Sequence, residues 1–227
     1  INESVLDKVT QKTRMIVINS PSNPSGTILN RSSLALIADM CEDYDLLALS
    51  DEIYEKLTYG KGHIPLASLK DMAERTITVN GFSKAYAMTG WRIGWAVAPK
   101  AIINQMSKVQ QHSISHPTTF AMYGGVAALT GDQSCVETMR REFHRRRNYL
   151  VQELLLMGYT VAPADGAFYA YVNTGGDDIT TARKWLEKGL VAVIPGSAFN
   201  TPGWQRISYA TSMDRLQEAV RRIRSLI

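Results

Sequence analysis

The residues best suited to chemistry lie in one stretch, Val79-Asn-Gly-Phe-Ser-Lys-Ala-Tyr-Ala-Met-Thr-Gly-Trp-Arg-Ile-Gly-Trp95. Lys84 stands just past an apolar run and among apolar or small residues. Where water is scarce the charged form of a lysine is disfavoured, so its pKa falls and its amine becomes a nucleophile. Schiff-base chemistry requires such an amine. Arg92 lies eight residues on, between Trp91 and Ile93, and a part-buried cation there calls for an anion. Asp51 ends a second apolar run, Leu46-Leu-Ala-Leu-Ser-Asp51, and Tyr54 follows three residues later on the same side of the turn. Taken singly these are ordinary events, a lysine after a strand and an aspartate at a helix start; their combination carries the argument.

The elements that must position these groups alternate. Met15–Asn19 is a short apolar run, the pattern of a strand covered on both faces. The loop Ser20-Pro-Ser-Asn-Pro-Ser-Gly26 is dense in turn formers. Leu34, Ile37, Ala38, Cys41 and Tyr44 recur at helical spacing. Leu46–Ser50, Thr76–Val79 and Trp91–Ala98 read as further strands. Strands separated by helices predict an α/β unit, a mostly parallel sheet with flanking helices. The character changes near residues 131–136, where a long helix runs through Val136, Met139, Phe143, Leu150, Leu154 and Met157 to Gly158. Short strands follow at Thr160–Ala162, Ala167–Val172, Val191–Ile194 and Arg206–Tyr209, then a final helix with Thr211 and Asp214 spaced as a capping box. That is the pattern of a smaller α+β domain, and the expected division is 1–134 and 135–227.

Composition narrows the classes of function. The 227 residues are 45% hydrophobic and 20% charged, which excludes a disordered tail, a collagen-like repeat and a disulfide-stapled miniprotein. Lys plus Arg is 25 and Asp plus Glu is 21, and a net +4 does not by itself argue for nucleic acid. Arg140, Arg141, His144, Arg145, Arg146 and Arg147 are interleaved with Glu137 and Glu142 and lack an aromatic platform, so they read as a solvated helix face. No apolar run approaches the roughly 20 residues of a membrane span. Cys41 and Cys135 read as buried thiols in a reducing compartment. His112 and His116 have the spacing of two metal ligands on a helix, but Pro117 follows at once and no third ligand is near, so no metal is expected.

Six motifs in order make the chain resemble the fold type I, aspartate aminotransferase-like family that uses pyridoxal 5′-phosphate (PLP). Asn23-Pro-Ser-Gly26 resembles its NPxG loop, Asp51-Glu-Ile-Tyr54 its D-x-x-Y motif, and Ser83-Lys84 with Met88-Thr-Gly-Trp-Arg-Ile-Gly94 its lysine segment. Gly166-Ala-Phe-Tyr169, Val193-Ile-Pro-Gly-Ser-Ala-Phe199 and Arg206-Ile-Ser-Tyr-Ala-Thr-Ser212 resemble its small-domain motifs. The resemblance covers nearly the whole chain. It implies that the 227 residues are the back part of a large PLP-binding domain followed by the C-terminal part of a small one. It implies that Lys84 bonds covalently to PLP and then moves a proton between the substrate Cα and the cofactor. Asp51 then pairs with the pyridinium nitrogen, and Tyr54 and Asn23 hydrogen-bond the ring oxygen. Ser83 and Arg92 join the cofactor-binding set, Arg92 at the phosphate, while Arg206 and Asn23 make up the substrate-binding set, Arg206 taking the α-carboxylate with its planar fork.

The implied reaction moves an amino group between an amino acid and a 2-oxo acid. A PLP-dependent lyase and a non-catalytic scaffold remnant stay open as alternatives. Gly81 stands where many relatives carry a Ser or Thr that contacts the phosphate. The family's phosphate-cradling turn, the aromatic that stacks on the ring and a tyrosine from the other subunit belong to a segment preceding the NPxG loop, and none is found here. The chain is therefore expected to be truncated at its N-terminus. It is expected to form a homodimer, with His112–Met122 contributing to the surface, or to pair with the preceding half. A cytoplasmic location, without nucleic-acid or membrane partners, completes the expectation.

Overall fold

Strands β1 (Met15–Asn19), β2 (Leu47–Asp51), β3 (Thr76–Gly81) and β4 (Gly94–Val97) form one sheet in that order. In this computed structural model, which describes residues 3–60 and 62–227, the first three strands run parallel. Asn19 lies level with Asp51, and Asp51 with Val79. β4 returns antiparallel and sets Gly81 opposite Gly94. A parallel pair needs a crossover, and α1 (Arg31–Asp43) lies between β1 and β2. Asn30 caps α1, its side-chain oxygen accepting the Ser33 N–H at 2.8 Å. Leu34, Ile37 and Cys41 form one stripe of that helix and cluster with Ile18, Leu46 and Ala48 of the sheet. Residues alternate along a strand, so Ala48 and Ser50 are buried while Leu47, Leu49 and Asp51 on the opposite face are half-buried.

Helices α2 (Lys100–Ser113) and α3 (Thr119–Thr130) follow. No residue of α2 is buried, and Val109, Phe120, Tyr123 and Val126 are exposed along the pair. The long helix α4 (Ser134–Leu156) comes next, with Gly158 just beyond it at φ +84°. After α4 the chain forms β5 (Thr160–Val161), β6 (Tyr169–Asn173), α5 (Asp178–Gly189), β7 (Ile194–Pro195), β8 (Trp204–Ser208) and α6 (Met213–Arg224). The second sheet has the order β5-β6-β8-β7 and is antiparallel throughout.

The chain divides into two compact units. One contains the segments up to Pro21, Ile28–Lys56 and Gly62–Val136; the other contains Ser22–Thr27, Leu57–Lys61 and Glu137–Ile227. Two early segments thus belong with the later unit, and hydrogen bonds show why. Gly26 accepts the Gly166 N–H at 2.8 Å, the Tyr59 N–H donates to Asp165 at 2.8 Å, and the Ala167 N–H donates to Leu57 at 2.9 Å. The hydroxyls of Tyr59 and Tyr209 both donate to the Ala167 carbonyl.

Several expectations need correction. β1 is not covered on both faces: Ile18 packs into the core beneath α1, but Val17 on the other face is 68% exposed. The strand expected from Trp91 begins only at Gly94, because Thr89–Trp91 forms a 3₁₀ turn and Arg92 is left-handed at φ +52°. Arg92 is exposed, so the argument from its burial fails. Ala167 at φ +58° delays β6 to Tyr169, and the strand expected over Val191–Ile194 is Ile194–Pro195. Ser212, rather than Thr211, caps α6 by accepting the Arg215 N–H. Cys41 is buried but Cys135, near the start of α4, is exposed. Because α2 ends at Ser113, His112 and His116 do not share a helix. Glu137 pairs with Arg140 and Arg141, and Glu142 with Arg145 and Arg146, along α4. Among the described residues no helix is long and apolar enough to cross a membrane.

The packing beneath α1 makes a direct prediction. Leu34 is almost fully buried, so Leu34→Ala removes packed methyl groups and leaves a cavity. The loss should be about 2–5 kcal/mol, read as a lower urea midpoint with an unchanged slope.

Candidate active site

The three parallel strands deliver their C-terminal ends to one edge of the first unit. In open α/β sheets that edge is where loops rather than side-chain ladders meet a ligand. The Ser20 N–H donates to the Asp51 carbonyl at 3.1 Å, and Asn19 Nδ2 donates to the same oxygen at 3.2 Å. The Glu52 N–H donates to Val79 at 2.9 Å. These bonds fix the exit of β2 against both neighbouring strands.

Asp51, Tyr54, Ser83 and Lys84 all lie at this edge. Lys84 sits in a turn just beyond β3, where the Tyr86 and Met88 N–H groups both donate to Phe82 O. Its Nζ stands 5.8 Å from the centroid of the Tyr54 ring, which is buried. Ser83, half-buried, precedes it in the turn. Burial holds the Asp51 carboxyl above its ordinary 3.8, with the Glu52 charge adding to the rise, while the Ile53 N–H and the Lys84 cation act in the opposite sense. The Ile53 N–H donates to Asp51 Oδ1 at 3.1 Å. Arg92 is exposed and its Nη1 donates to the Thr89 carbonyl at 2.8 Å.

Behind the Asp51 turn stands a pair of residues to which the sequence reading gave no role. Glu52 is 2% exposed and accepts from Ser50 Oγ at 3.0 Å and from the Leu66 N–H at 3.2 Å. His63 Nε2 lies 2.9 Å from its other oxygen. Alternation along the strand was the available signal, because it puts Ser50 and Glu52 on the face opposite Asp51.

The second unit assembles another group of polar and aromatic side chains around Arg206 on β8. Arg206 Nη1 donates to Asn23 Oδ1 at 2.7 Å. Its guanidinium carbon lies 4.7 Å from the Tyr169 ring centroid and 5.1 Å from that of Phe199. Arg206 pairs with Tyr171 in the β6–β8 ladder, and the period of two puts Tyr169 on the same face. A cation between two π faces is held without losing its charge. Asn23 can reach it because Gly26 turns the loop at φ +70° and touches β6: a Cβ there would lie 2.7 Å from the Tyr169 carbonyl oxygen. The motifs contained Tyr169 and Phe199, but nothing in their spacing revealed that their rings flank Arg206.

Thus Lys84, Tyr54 and Asp51 gather in one unit, and Arg206 and Asn23 in the other. Residues 2–223 match the family model of aminotransferase class I and II. The chain belongs to this family. Members are PLP-dependent transferases. The aspartate aminotransferase of Bacillus subtilis is 42% identical over 99% of this chain and 60% of its own length. Aromatic-amino-acid aminotransferase 2 of Thermococcus litoralis is 42% identical over 96% of this chain and 58% of its own. Among solved structures, the aromatic aminotransferase of Pyrococcus horikoshii superposes with a TM-score of 0.96 at 43% identity, covering all of this chain and 63% of that one. The aspartate aminotransferase of Thermus thermophilus, solved with maleate, gives 0.95 at 37% identity over 99% of this chain and 60% of that one. The chain therefore spans about 60% of the length of the relatives it matches.

The elevated Asp51 pKa has a consequence for stability. A carboxyl whose pKa is raised in the folded state contributes stability that is complete below 3.8 and lost as pH rises through the elevated value. At neutral pH Asp51 therefore weakens the cofactor-free fold. Asp51→Asn should raise the urea midpoint of the cofactor-free chain at pH 7, with the advantage vanishing as pH falls below 3.8.

Proposed function

We propose that this chain works in a PLP-dependent aminotransferase, moving an amino group between an amino acid and a 2-oxo acid. The observation that carries the reading is the Lys84 amine over the Tyr54 ring, at the strand edge that also holds Asp51. This donor set fits PLP: an amine to bond its aldehyde carbon, a carboxyl to face its ring nitrogen and a phenol to face its ring oxygen. When bound, PLP supplies a conjugated pyridinium that accepts the electrons released as a proton leaves the substrate Cα.

The residues around it then have defined tasks. Lys84 holds the cofactor and, once displaced by the substrate amine, takes and returns the proton at Cα as a general base. Asp51 keeps a proton on the ring nitrogen. Its half-burial strengthens that charge pair, because a cation brought beside it lowers the pKa that desolvation has raised. Tyr54 donates to the ring oxygen. Ser83 belongs to the cofactor-binding set and Arg92 holds the phosphate, its exposure leaving its charge available to an anion. In the second unit Arg206 binds the substrate α-carboxylate beside Asn23. Maleate, a dicarboxylate bound by the Thermus relative, supports a carboxylate as the recognised group. Division into a large PLP-binding part, 1–134, and a small part, 135–227, accompanies this reading. The exposed apolar side chains of α2 and α3 support a homodimer, or association with further polypeptide of the same protein.

Two substitutions test the assignment. Lys84→Ala should lower transfer of the amino group by at least about 10²–10⁴-fold, the scale of lost general-base catalysis. Arg206→Gln should raise KM for amino acid and 2-oxo acid alike by about 10- to 150-fold, the equivalent of a charge-assisted contact of ~1.5–3 kcal/mol. Formation of a new amino acid with no free ammonia supports transfer. Stoichiometric ammonia release indicates a lyase, and activity unchanged in Lys84→Ala overturns the reading.

A further inference from the structure

Arg206 is held between two rings, and one of those rings rests on a short turn that needs an anchor of its own. Phe199 ends the 3₁₀ turn Gly196–Phe199. That turn cannot be loosened at its start. A Cβ on Gly196 would lie 2.2 Å from the Thr201 carbonyl oxygen and 2.9 Å from the Tyr171 hydroxyl. The turn is gripped from outside by Asp178, the first residue of α5. Asp178 Oδ2 accepts the Ser197 N–H at 2.6 Å and Oδ1 accepts the Ser197 hydroxyl at 2.8 Å. The Asp178 carbonyl also accepts from Gln205 Nε2 at 2.7 Å, and Gln205 directly precedes Arg206 on β8. One residue thus fixes both the strand position before the arginine and the turn that carries its second ring.

From this geometry we propose that Asp178 is a positioning residue for Arg206, acting through Ser197, Phe199 and Gln205 to hold the guanidinium in one orientation for a carboxylate. The proposal rests on the reading of Arg206 as the carboxylate-binding group. Asp178 is 2% exposed, and among the described residues no Lys or Arg forms an ion pair with it. A buried carboxylate without a cation is tolerated only when donors satisfy it. Here the first donor is the Ser197 N–H of the turn, joined by the Ser197 hydroxyl and by the N–H groups of Gly203 and of Asp178 itself, and together they hold the carboxyl below its usual range. Its negative charge shortens and strengthens the bonds to Ser197 relative to those a neutral amide makes. The second oxygen matters as well, because Asn offers one acceptor where Asp offers two.

The test reads the exposure of Arg206 directly, by phenylglyoxal modification of the cofactor-free full chain with peptide mass mapping. Arg140 and Arg222, ion-paired on α4 and α6, serve as internal controls. In Asp178→Asn the modification rate of Arg206 should rise by roughly three- to tenfold while the controls stay unchanged. Ser197→Ala should give a smaller rise in the same residue, and Ser197→Thr, which restores a hydroxyl, should bring the rate back toward wild type. The Ser197 pair carries the test if Asp178→Asn does not fold. Unchanged Arg206 reactivity overturns the proposal, as does a rise shared by all three arginines, which marks general loosening. Maleate as a competing probe separates the proposal from the reading beneath it. If maleate protects Arg206 in the wild type and protects it less in the variants, both stand. If it protects nothing while Asp178→Asn still accelerates Arg206, the positioning role stands and the carboxylate reading falls.

Discussion

Parallel pairing of β1, β2 and β3 is the constraint on which the candidate active site depends. Parallel strands end on the same edge, so residues far apart in sequence arrive together only if each crossover returns the chain to the same starting side. Asn19, Asp51 and Val79 lie level in this register, and the turn carrying Lys84 follows directly from the third strand. A shift of one residue in β2 would turn Asp51 toward α1 and Ser50 toward the site, because side chains alternate between faces. The buried Glu52, with its bonds to Ser50, Leu66 and His63, resists that shift by occupying the core side of the same segment.

In the second unit a different economy applies. Arg206 projects from an antiparallel strand and is held by aromatic faces and one amide. A carboxylate in that place would cancel the charge an incoming anion needs, whereas rings orient the fork and leave the charge in force. The supporting anion is displaced to Asp178, where it serves the backbone of a turn instead. The chain thus keeps an amine, a phenol and an acid in one unit, and a guanidinium flanked by rings in the other.

Much of this was legible in the residues. Short apolar runs between turn formers marked the parallel strands, although β1 leaves Val17 exposed and β2 alternates buried with half-buried residues. Leu34, Ile37 and Cys41 gave α1 through their period. The reach of that reasoning ended where backbone conformation depends on distant contacts. Ala167 adopts a left-handed conformation at the join to Leu57, a residue more than a hundred positions earlier, and no local pattern announces it. Arg92 looked part-buried because its neighbours are apolar, yet a 3₁₀ turn exposes Arg92 and Trp91 together. The rings flanking Arg206 and the Asp178 anchor are products of sheet register and of a turn held across the unit, so their spacing in the sequence carries no periodic sign of them.

The central claim is that the amine over the Tyr54 ring is the group that takes the cofactor. Titration of this chain with PLP, followed by borohydride reduction and peptide mass mapping, tests it most directly. The account predicts a single saturable adduct on Lys84, lost in Lys84→Ala and weakened in Asp51→Asn. Label scattered over surface lysines, or an adduct at another lysine that survives Lys84→Ala, would contradict it.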